Sequence, residues 1–261
     1  MDISLAGKHA LVGGASRGIG RATAIELAKN GAHVTLLSRN RETLEEVRRQ
    51  LDTSDGQQHL VIAADSSDPK HTGEAVAASA IQKPFQIVVN NTGGPPEGPA
   101  WSAGLDEYLL AFTQHLLCSQ SILQAVLPGM RASGYGRVIN VISTSVKQPI
   151  PNLGVSNTIR GAVANWAKTL SGELGADGIT VNNVLPGFTQ TDRLTDIIQT
   201  RSESTSSPLE KVAEKMMASV PLKRFATPAE TAAAIAFLAS PAAGYINGVN
   251  LPVDGGRTAS L

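Results

Sequence analysis

The sequence predicts an α/β fold in which a seven-stranded, doubly wound parallel sheet carries helices on both faces. Three observations support this prediction: seven short apolar segments, helix-like segments between them, and a glycine-rich turn after the first apolar segment. Strands that alternate with helices pair in parallel through right-handed crossovers, which place helices on both faces of the sheet. No composition break or long linker divides the chain, so residues 1–261 are expected to form a single domain.

The predicted strands are short, rich in β-branched residues and bounded by Gly, Asp, Asn or Pro. They are residues 9–14, 33–37, 59–64, 85–90, 137–142, 179–185 and 248–253. The segment "RATAIELAKNGA" is predicted to be a helix that stops at Asn30 and Gly31, just before the second strand. In "RETLEEVRRQL", Leu44, Val47 and Leu51 recur at helical spacing.

Residues 191–220 form the one irregular region of the predicted fold. They are rich in Ser and Thr and carry a few apolar side chains, namely Ile197, Ile198, Met216 and Met217. The region follows the carboxyl end of the sixth strand, where doubly wound folds place ligand contacts. We therefore expect a mobile substrate lid, with a plain surface insertion as the alternative.

Composition argues against several classes of function. Lys plus Arg and Asp plus Glu both number 22, and a zero net charge argues against a general nucleic-acid binder. The single Cys118 cannot form an intramolecular disulfide, which suits a reducing cytoplasm. The N-terminus does not have the pattern of a signal peptide, and the longest apolar-rich run is too interrupted to span a bilayer. A cytoplasmic protein with no membrane partner and no metal site is expected.

The segment "GGASRGIG" joins the first strand to the first helix and predicts a dinucleotide phosphate site. Its glycines allow a tight turn and a close approach of the backbone to a pyrophosphate. The helix N-terminus adds free N–H groups and the positive end of the helix dipole. The predicted cofactor contacts here are Gly14, Ser16, Arg17, Gly18, Ile19 and Gly20.

The end of the second strand favours NADP over NAD. Sites for NAD commonly have an acidic residue there to hold the ribose hydroxyls, whereas this chain reads "LLSRN". Ser38 and Arg39, followed by Asn40 and assisted by Arg17 from the glycine turn, can bind a 2′-phosphate. A solvated arginine at a strand end is the alternative.

These motifs resemble those of the short-chain dehydrogenase/reductase family over nearly the whole chain, and within it those of 3-oxoacyl-ACP reductase-like proteins. "GGASRGIG" is similar to the family's TGxxxGxG turn, "NNTG" to its NNAG segment and "LPGFTQT" to its PGxxxT segment. The resemblance implies a Rossmann fold and an NADP-dependent oxidoreductase acting on a carbonyl or alcohol. It also implies cofactor contacts at Asp65, Ser66, Asn91, Thr92, Gly93, Arg160, Pro186, Gly187, Thr189 and Thr191.

The family's active-site group is Asn, Ser, Tyr and Lys, and this chain retains only the serine. Ser143 stands thirteen positions before Ser156, the family spacing from serine to tyrosine, so Ser156 and Arg160 take the tyrosine and lysine positions. His115 takes the asparagine position. The resemblance implies that Ser143 orients the substrate carbonyl. An aliphatic alcohol is a weaker acid than a phenol, and the guanidinium of Arg160 stays charged, so neither residue replaces the usual proton donor.

Three explanations remain open at this stage. In the first, the protein is a reductase whose proton comes from His115 through a water held by Ser143 and Ser156, because histidine titrates near neutral pH. Lys147 and Glu97, in nearby loops, are further candidates. In the second, the protein is a silent sensor that binds NADP. In the third, it is a structural subunit, which the retained phosphate turn disfavours.

Residues 105–130 and 157–174 resemble the two long helices through which this family forms dimers and tetramers. The first is apolar on more than one face, which exceeds what a single contact with the sheet needs. Trp166 is expected to anchor the interface, and burial within its own domain is the alternative. We therefore expect a homo-oligomer that acts on a small molecule.

Overall fold

A computed structural model describes residues 1–260, and it confirms the predicted sheet. The seven strands pair in the order β3-β2-β1-β4-β5-β6-β7, and all neighbours are parallel. The strands are β1 (His9–Gly13), β2 (His33–Ser38), β3 (His59–Ala63), β4 (Ile87–Asn90), β5 (Gly136–Val141), β6 (Ile179–Pro186) and β7 (Asn250–Val253). The strand order reverses between β1 and β4, and ligands of doubly wound sheets bind in the crevice at this point.

Helices cover both faces of the sheet, as predicted. One apolar core lies under α1 (Gly18–Lys29), α2 (Arg41–Arg48) and α9 (Pro228–Ala239). The other lies under α3 (Pro69–Gln82), α5 (Cys118–Ser133) and α6 (Gly154–Leu174). The remaining helices are α4 (Leu105–Phe112), α7 (Asp192–Thr205) and α8 (Leu209–Ala218).

A ladder of asparagine amides, with the buried Asn140 and Asn183 at its centre, joins the last four strands of the sheet. Asn90 donates to Asn140 over 2.9 Å, Asn140 to Asn183 over 2.9 Å, and Asn183 to Asn250 over 2.8 Å. These four residues are paired directly across the sheet. Because a buried amide without a partner is costly, each bond favours the observed register next to the strand ends that form the site.

The prediction that residues 191–220 are irregular is wrong, because α7 and α8 occupy most of them. Their apolar side chains recur at helical spacing and pack into a small core of their own with Phe225. Leu194 on α7 and Val212 and Met216 on α8 are buried in this core. The high content of Ser and Thr hid the pattern, since these residues are only weak helix formers.

The long helix predicted over residues 105–130 is interrupted. A π-helical turn, Thr113–Leu117, lies between α4 and α5 and contains the buried His115. Such single turns widen a helix locally and are frequent at functional sites. Apolar periodicity alone does not reveal one inserted residue, so this turn could not be predicted from the sequence.

Within residues 1–260, none of the helices is both long and apolar enough to cross a membrane. The same residues contain no cluster of three or more His, Cys, Asp or Glu side chains that would hold a metal ion. Cys118 is buried and carries a free thiol, whose pKa is raised to about 11 by burial.

Candidate active site

The glycine turn packs against Asn91 so closely that it excludes side chains. Gly14 has φ +57°, and a Cβ there would lie 2.6 Å from Asn91 Nδ2. A Cβ on Gly20 would collide with the carbonyl oxygen of Gly14. Asn91 Nδ2 also donates to the Gly13 carbonyl over 3.2 Å. The turn therefore leaves the first N–H groups of α1 open to the crevice, an arrangement that fits a pyrophosphate.

The end of β2 fits a 2′-phosphate. Ser38 Oγ is buried and has no hydrogen-bond partner within residues 1–260, and the exposed Arg39 follows it. Asn40 uses its side chain to accept from the Thr43 N–H over 2.8 Å and so caps α2. This bond occupies Oδ1 and leaves the Nδ2 donors of the Asn40 amide for a ligand. The Arg17 side chain is exposed, and its Nη1 lies 3.4 Å from Asp192 at the start of α7.

Two loops meet where the adenine end of a dinucleotide would lie. The Ser66 hydroxyl, after β3, lies 3.3 Å from the Thr92 hydroxyl, after β4. Asp65 accepts from the Ser67 N–H over 2.9 Å, which orients its carboxylate within the loop. Gly93 follows Thr92 and has open space where a Cβ would point.

The segment after β6 approaches the glycine turn from the other side. Pro186 ends β6, and Gly187 donates its N–H to Val253 over 2.9 Å. Thr189 is buried, and the Thr191 hydroxyl donates to its carbonyl over 3.3 Å. A Cβ on Gly18 would lie 3.2 Å from the Thr191 methyl group, so this glycine lets the two segments touch.

Ser143 lies two positions after Val141, the last residue of β5. Its Oγ accepts from the Ser145 N–H over 3.1 Å and caps the short helical turn Thr144–Val146. That contact uses an acceptor lone pair, which leaves the hydroxyl hydrogen free to be donated to a carbonyl oxygen. Ser156 and Arg160 lie one turn apart on the buried face of α6.

The guanidinium of Arg160 is buried without a counter-ion. Its Nη1 donates to the Val141 carbonyl over 2.8 Å, and its Nε has no partner within residues 1–260. None of the ion pairs in that range involves it. Burial and the nearby charge of Arg193 lower the pKa of Arg160 to about 10, so it remains a cation at neutral pH. An uncompensated buried charge is costly, which indicates a ligand with negative or paired oxygens.

The expectation that His115 protonates near neutral pH is wrong. Burial and the charge of Arg160 lower the pKa of His115 to about 2, against a weaker opposing effect of the Gly93 carbonyl. Its Nε2 is buried and has no partner within the described chain. The imidazole is therefore neutral at physiological pH, because burial and, to a lesser extent, the neighbouring cation disfavour its charged form.

Comparison with known proteins identifies the family. The family model described as enoyl-(acyl carrier protein) reductase matches residues 14–258. This chain belongs to the short-chain dehydrogenase/reductase family. Its oxidoreductase fold and phosphate-binding turn are therefore shared with that family, as the sequence motifs indicated.

Three relatives illustrate the range of short-chain dehydrogenases/reductases that this chain resembles. NADPH-dependent reductase BacG of Bacillus subtilis is 28% identical, over 97% of this chain and 99% of that protein. The 3-oxoacyl-[acyl-carrier-protein] reductase FabG of Vibrio cholerae is 34% identical, over 97% and 98%. L-Sorbose reductase from Gluconobacter frateurii, solved with NADPH and L-sorbose, superposes with a TM-score of 0.93, 30% identity and complete coverage of both chains.

In this family member, charged contacts that the sequence did not reveal join α7 to the loop after β4. Arg193 Nη2 donates to the Pro95 carbonyl over 2.9 Å. Arg201, two turns further along α7, lies 3.5 Å from Glu97. The spacing of the two arginines was visible in the sequence, but their partners lie about a hundred positions earlier. Glu97, one of the proton-donor candidates, is thus engaged in an ion pair.

Trp166 packs inside its own chain. Its indole Nε1 donates to Gln120 Oε1 over 2.9 Å, and its ring contacts the core between α5 and α6. Trp166 is half-buried in the single chain, so its role at a subunit interface stays a prediction. One group of exposed apolar side chains of this short-chain dehydrogenase/reductase consists of Trp101 and the leucines of α4.

Proposed function

We propose that this protein is an NADPH-dependent reductase of a small-molecule carbonyl compound, and that its reverse reaction oxidises the corresponding alcohol. The observation that carries the proposal is the buried, uncompensated Arg160 against the end of β5 that leads into Ser143. The glycine turn, Ser38 and Arg39 would hold the cofactor, which supplies the hydride when bound. Similar proteins that are NADPH-dependent reductases support the same cofactor and the same class of reaction.

The chain's own residues then act on the carbonyl oxygen. Ser143 donates its free hydroxyl hydrogen to that oxygen and fixes its position. As the carbon accepts the hydride, negative charge grows on the oxygen and the Arg160 cation stabilises it. Such preorganised charge is most effective where water is excluded, and Arg160 is 8% exposed.

The proton that completes the alcohol comes from water in this proposal. Ser156 is too weak an acid, and His115 is neutral with a pKa of about 2. The unpartnered Nε2 of His115 and the Ser156 hydroxyl suit the binding of a water molecule that delivers the proton and is restored from solvent. His115 is then a positioning residue and not a general acid.

The test is the rate of NADPH oxidation against a panel of ketones, aldehydes and β-ketoacyl thioesters, followed by absorbance across the pH range. Because Arg160 keeps its charge up to about pH 10, and Arg193 and His115 are the titratable groups acting on it, we expect a rate that stays level from neutral to alkaline pH. A steep fall over that range would point to a side-chain acid. Tight NADPH binding without any turnover would indicate a silent sensor that binds NADP. If the protein did not bind NADPH at all, both the reductase and the sensor would be contradicted.

We further propose that residues 191–220 act as the substrate lid. Support comes from the contacts of Arg193 with Pro95 and Arg201 with Glu97, which close α7 over the loop after β4. The exposed pair of Arg17 and Asp192 ties the start of α7 to the glycine turn. Surface pairs of this kind contribute little each, so the lid can open at small cost. Faster proteolysis within 191–220 in the absence of NADPH than in its presence would test this.

We also propose a homo-oligomer in the cytoplasm. Leu105, Leu109 and Leu110 on α4 are 87%, 64% and 51% exposed, and Trp101 is 89% exposed. A contiguous apolar surface of this kind is typical of an interface between subunits. The single free Cys118 suits a reducing compartment. Sedimentation of the wild type and of Leu105→Glu tests the interface, and a monomeric wild type contradicts it.

A further inference from the structure

A second cationic position, Arg257, lies in the cavity that Thr144 lines. A cavity of about 240 Å³ opens beside Thr144, the residue that follows Ser143 in the chain. Its walls come from the loop after β5, the end of α8 and the segment after β7. The lining residues are Thr144, Gln148, Pro149, Ile150, Pro151, Ser219, Arg257 and Thr258.

Arg257 is the one lining residue of this cavity with a formal charge. Its guanidinium carbon lies 4.2 Å above the centre of the Phe188 ring, a stacking contact that fixes the plane of the group. Among residues 1–260 it takes part in no ion pair. Its N–H donors therefore remain available to a ligand in the cavity.

The nearest carboxylate is already engaged by the backbone. Asp254 accepts from the N–H groups of Gly256 and Thr258 over 3.0 and 2.8 Å, which holds the turn that carries Arg257. Burial and the charge of Arg201 lower the pKa of Arg257, and Asp254 opposes them only weakly.

We propose that this cavity is a carboxylate subsite, so that the reductase acts on oxo acids whose carboxylate is held by Arg257 while their carbonyl lies at Ser143. The planar fork of a guanidinium matches the two oxygens of a carboxylate, and stacking on Phe188 leaves the edge of the fork free. This inference rests on the proposed reductase activity for the position of the carbonyl. The proposal that the cavity binds an anion depends only on Arg257, its contact with Phe188 and the lining residues.

The first measurement does not depend on turnover. Calorimetric titration of the cofactor-free protein with pyruvate, acetoacetate, levulinate and 5-oxohexanoate, each beside its methyl ester, reports carboxylate binding directly. We expect one chain length to bind at least tenfold more tightly than its ester. Arg257→Gln removes that difference, Arg257→Lys keeps part of it, and Arg131→Gln, on the distant end of α5, keeps all of it.

The second measurement compares kcat/KM for the same acids and esters. A charge-assisted contact of about 1.5–3 kcal/mol corresponds to a preference of roughly 10- to 100-fold for the acid, and Arg257→Gln should bring the ratio close to one. Binding of the acids without reduction of any compound would contradict the proposed reductase activity and would still support the carboxylate subsite. Equal binding of acid and ester by the wild type, or an unchanged preference in both Arg257 variants, would overturn the proposal.

Discussion

The guanidinium of Arg160 on α6 donates a 2.8 Å hydrogen bond to the carbonyl oxygen of Val141, the last residue of β5. Ser143 lies two positions further along the same segment, so one contact fixes the cation of the site relative to its hydroxyl. Arg160 is almost fully buried, and no carboxylate within residues 1–260 neutralises it. A buried cation of this kind is suited to stabilising negative charge that appears only during a reaction.

Replacing Arg160 with Met should lower kcat by roughly 10²- to 10³-fold, the usual cost of removing one group that stabilises a developing oxyanion. Arg160→Lys keeps a charge but loses the bond to Val141 in its present geometry, so an intermediate rate is expected. Steady-state kinetics with a carbonyl substrate provide the measurement, and Arg131→Met is the matched control. If the whole loss lay in the dissociation constant of NADPH, Arg160 would be a cofactor contact only.

Arg39→Ala should weaken NADPH binding by roughly 10- to 100-fold and leave NADH almost unchanged, because a charge-assisted contact contributes about 1.5–3 kcal/mol. The prediction depends on the position of Arg39 after Ser38, whose buried hydroxyl has no partner within the described residues. Fluorescence titration with both nucleotides gives the two affinities. Equal losses for NADPH and NADH would assign Arg39 a role other than binding the 2′-phosphate.

Two glycine substitutions separate an effect on the stability of the fold from an effect on NADPH binding. A Cβ at Gly93 meets no protein atom within 4 Å, so Gly93→Ala should leave the melting temperature nearly unchanged. It should nevertheless weaken NADPH binding if the cofactor passes over this residue. Gly20→Ala places a Cβ against the Gly14 carbonyl and should lower both stability and binding. Thermal unfolding with and without NADPH measures both effects, and normal NADPH binding by the Gly93 variant would remove that residue from the cofactor site.

The free energy of unfolding should fall as the pH drops from 6.5 to 5. Burial lowers the pKa of His9 to about 4, and burial with the charge of Arg160 lowers that of His115 to about 2, from an unfolded value of 6.5. Below pH 6.5 the unfolded chain therefore binds protons that the folded chain does not. Each such histidine contributes a slope of about 1.4 kcal/mol per pH unit.

Urea unfolding at several pH values within this window measures that slope. His115→Asn removes one of the three buried imidazoles, His9, His59 and His115, so the slope of the variant should be shallower by up to about 1.4 kcal/mol per pH unit. The carboxylates with lowered pKa, such as Glu230 with a pKa of about 2, lose their contribution only at lower pH. An identical slope in the variant would show that His115 titrates normally in the folded protein.

Local sequence patterns determined most of the fold and the cofactor side of the site. The strands were predicted to within a few residues, because their apolar runs and bounding turns are local properties of the chain. The glycine turn could also be predicted from the sequence, because Gly14 and Gly20 belong to the motif that defines it. Ser38, Arg39 and Ser143 could be assigned to the site because the carboxyl ends of parallel strands meet at one edge.

Tertiary structure decided the rest, because charge and burial depend on which distant segments meet. Nothing in the sequence shows that the pKa of His115 is lowered; burial lowers it, together with the charge of Arg160, forty-five positions later. In the sequence, nothing distinguishes Arg257 from the other arginines. In the fold, its guanidinium stacks on the Phe188 ring and lines the same cavity as Thr144. The sequence by itself determined a member of the short-chain dehydrogenase/reductase family with a dinucleotide site. Only the folded chain decided which of its side chains carry charge, and where that charge lies relative to Ser143.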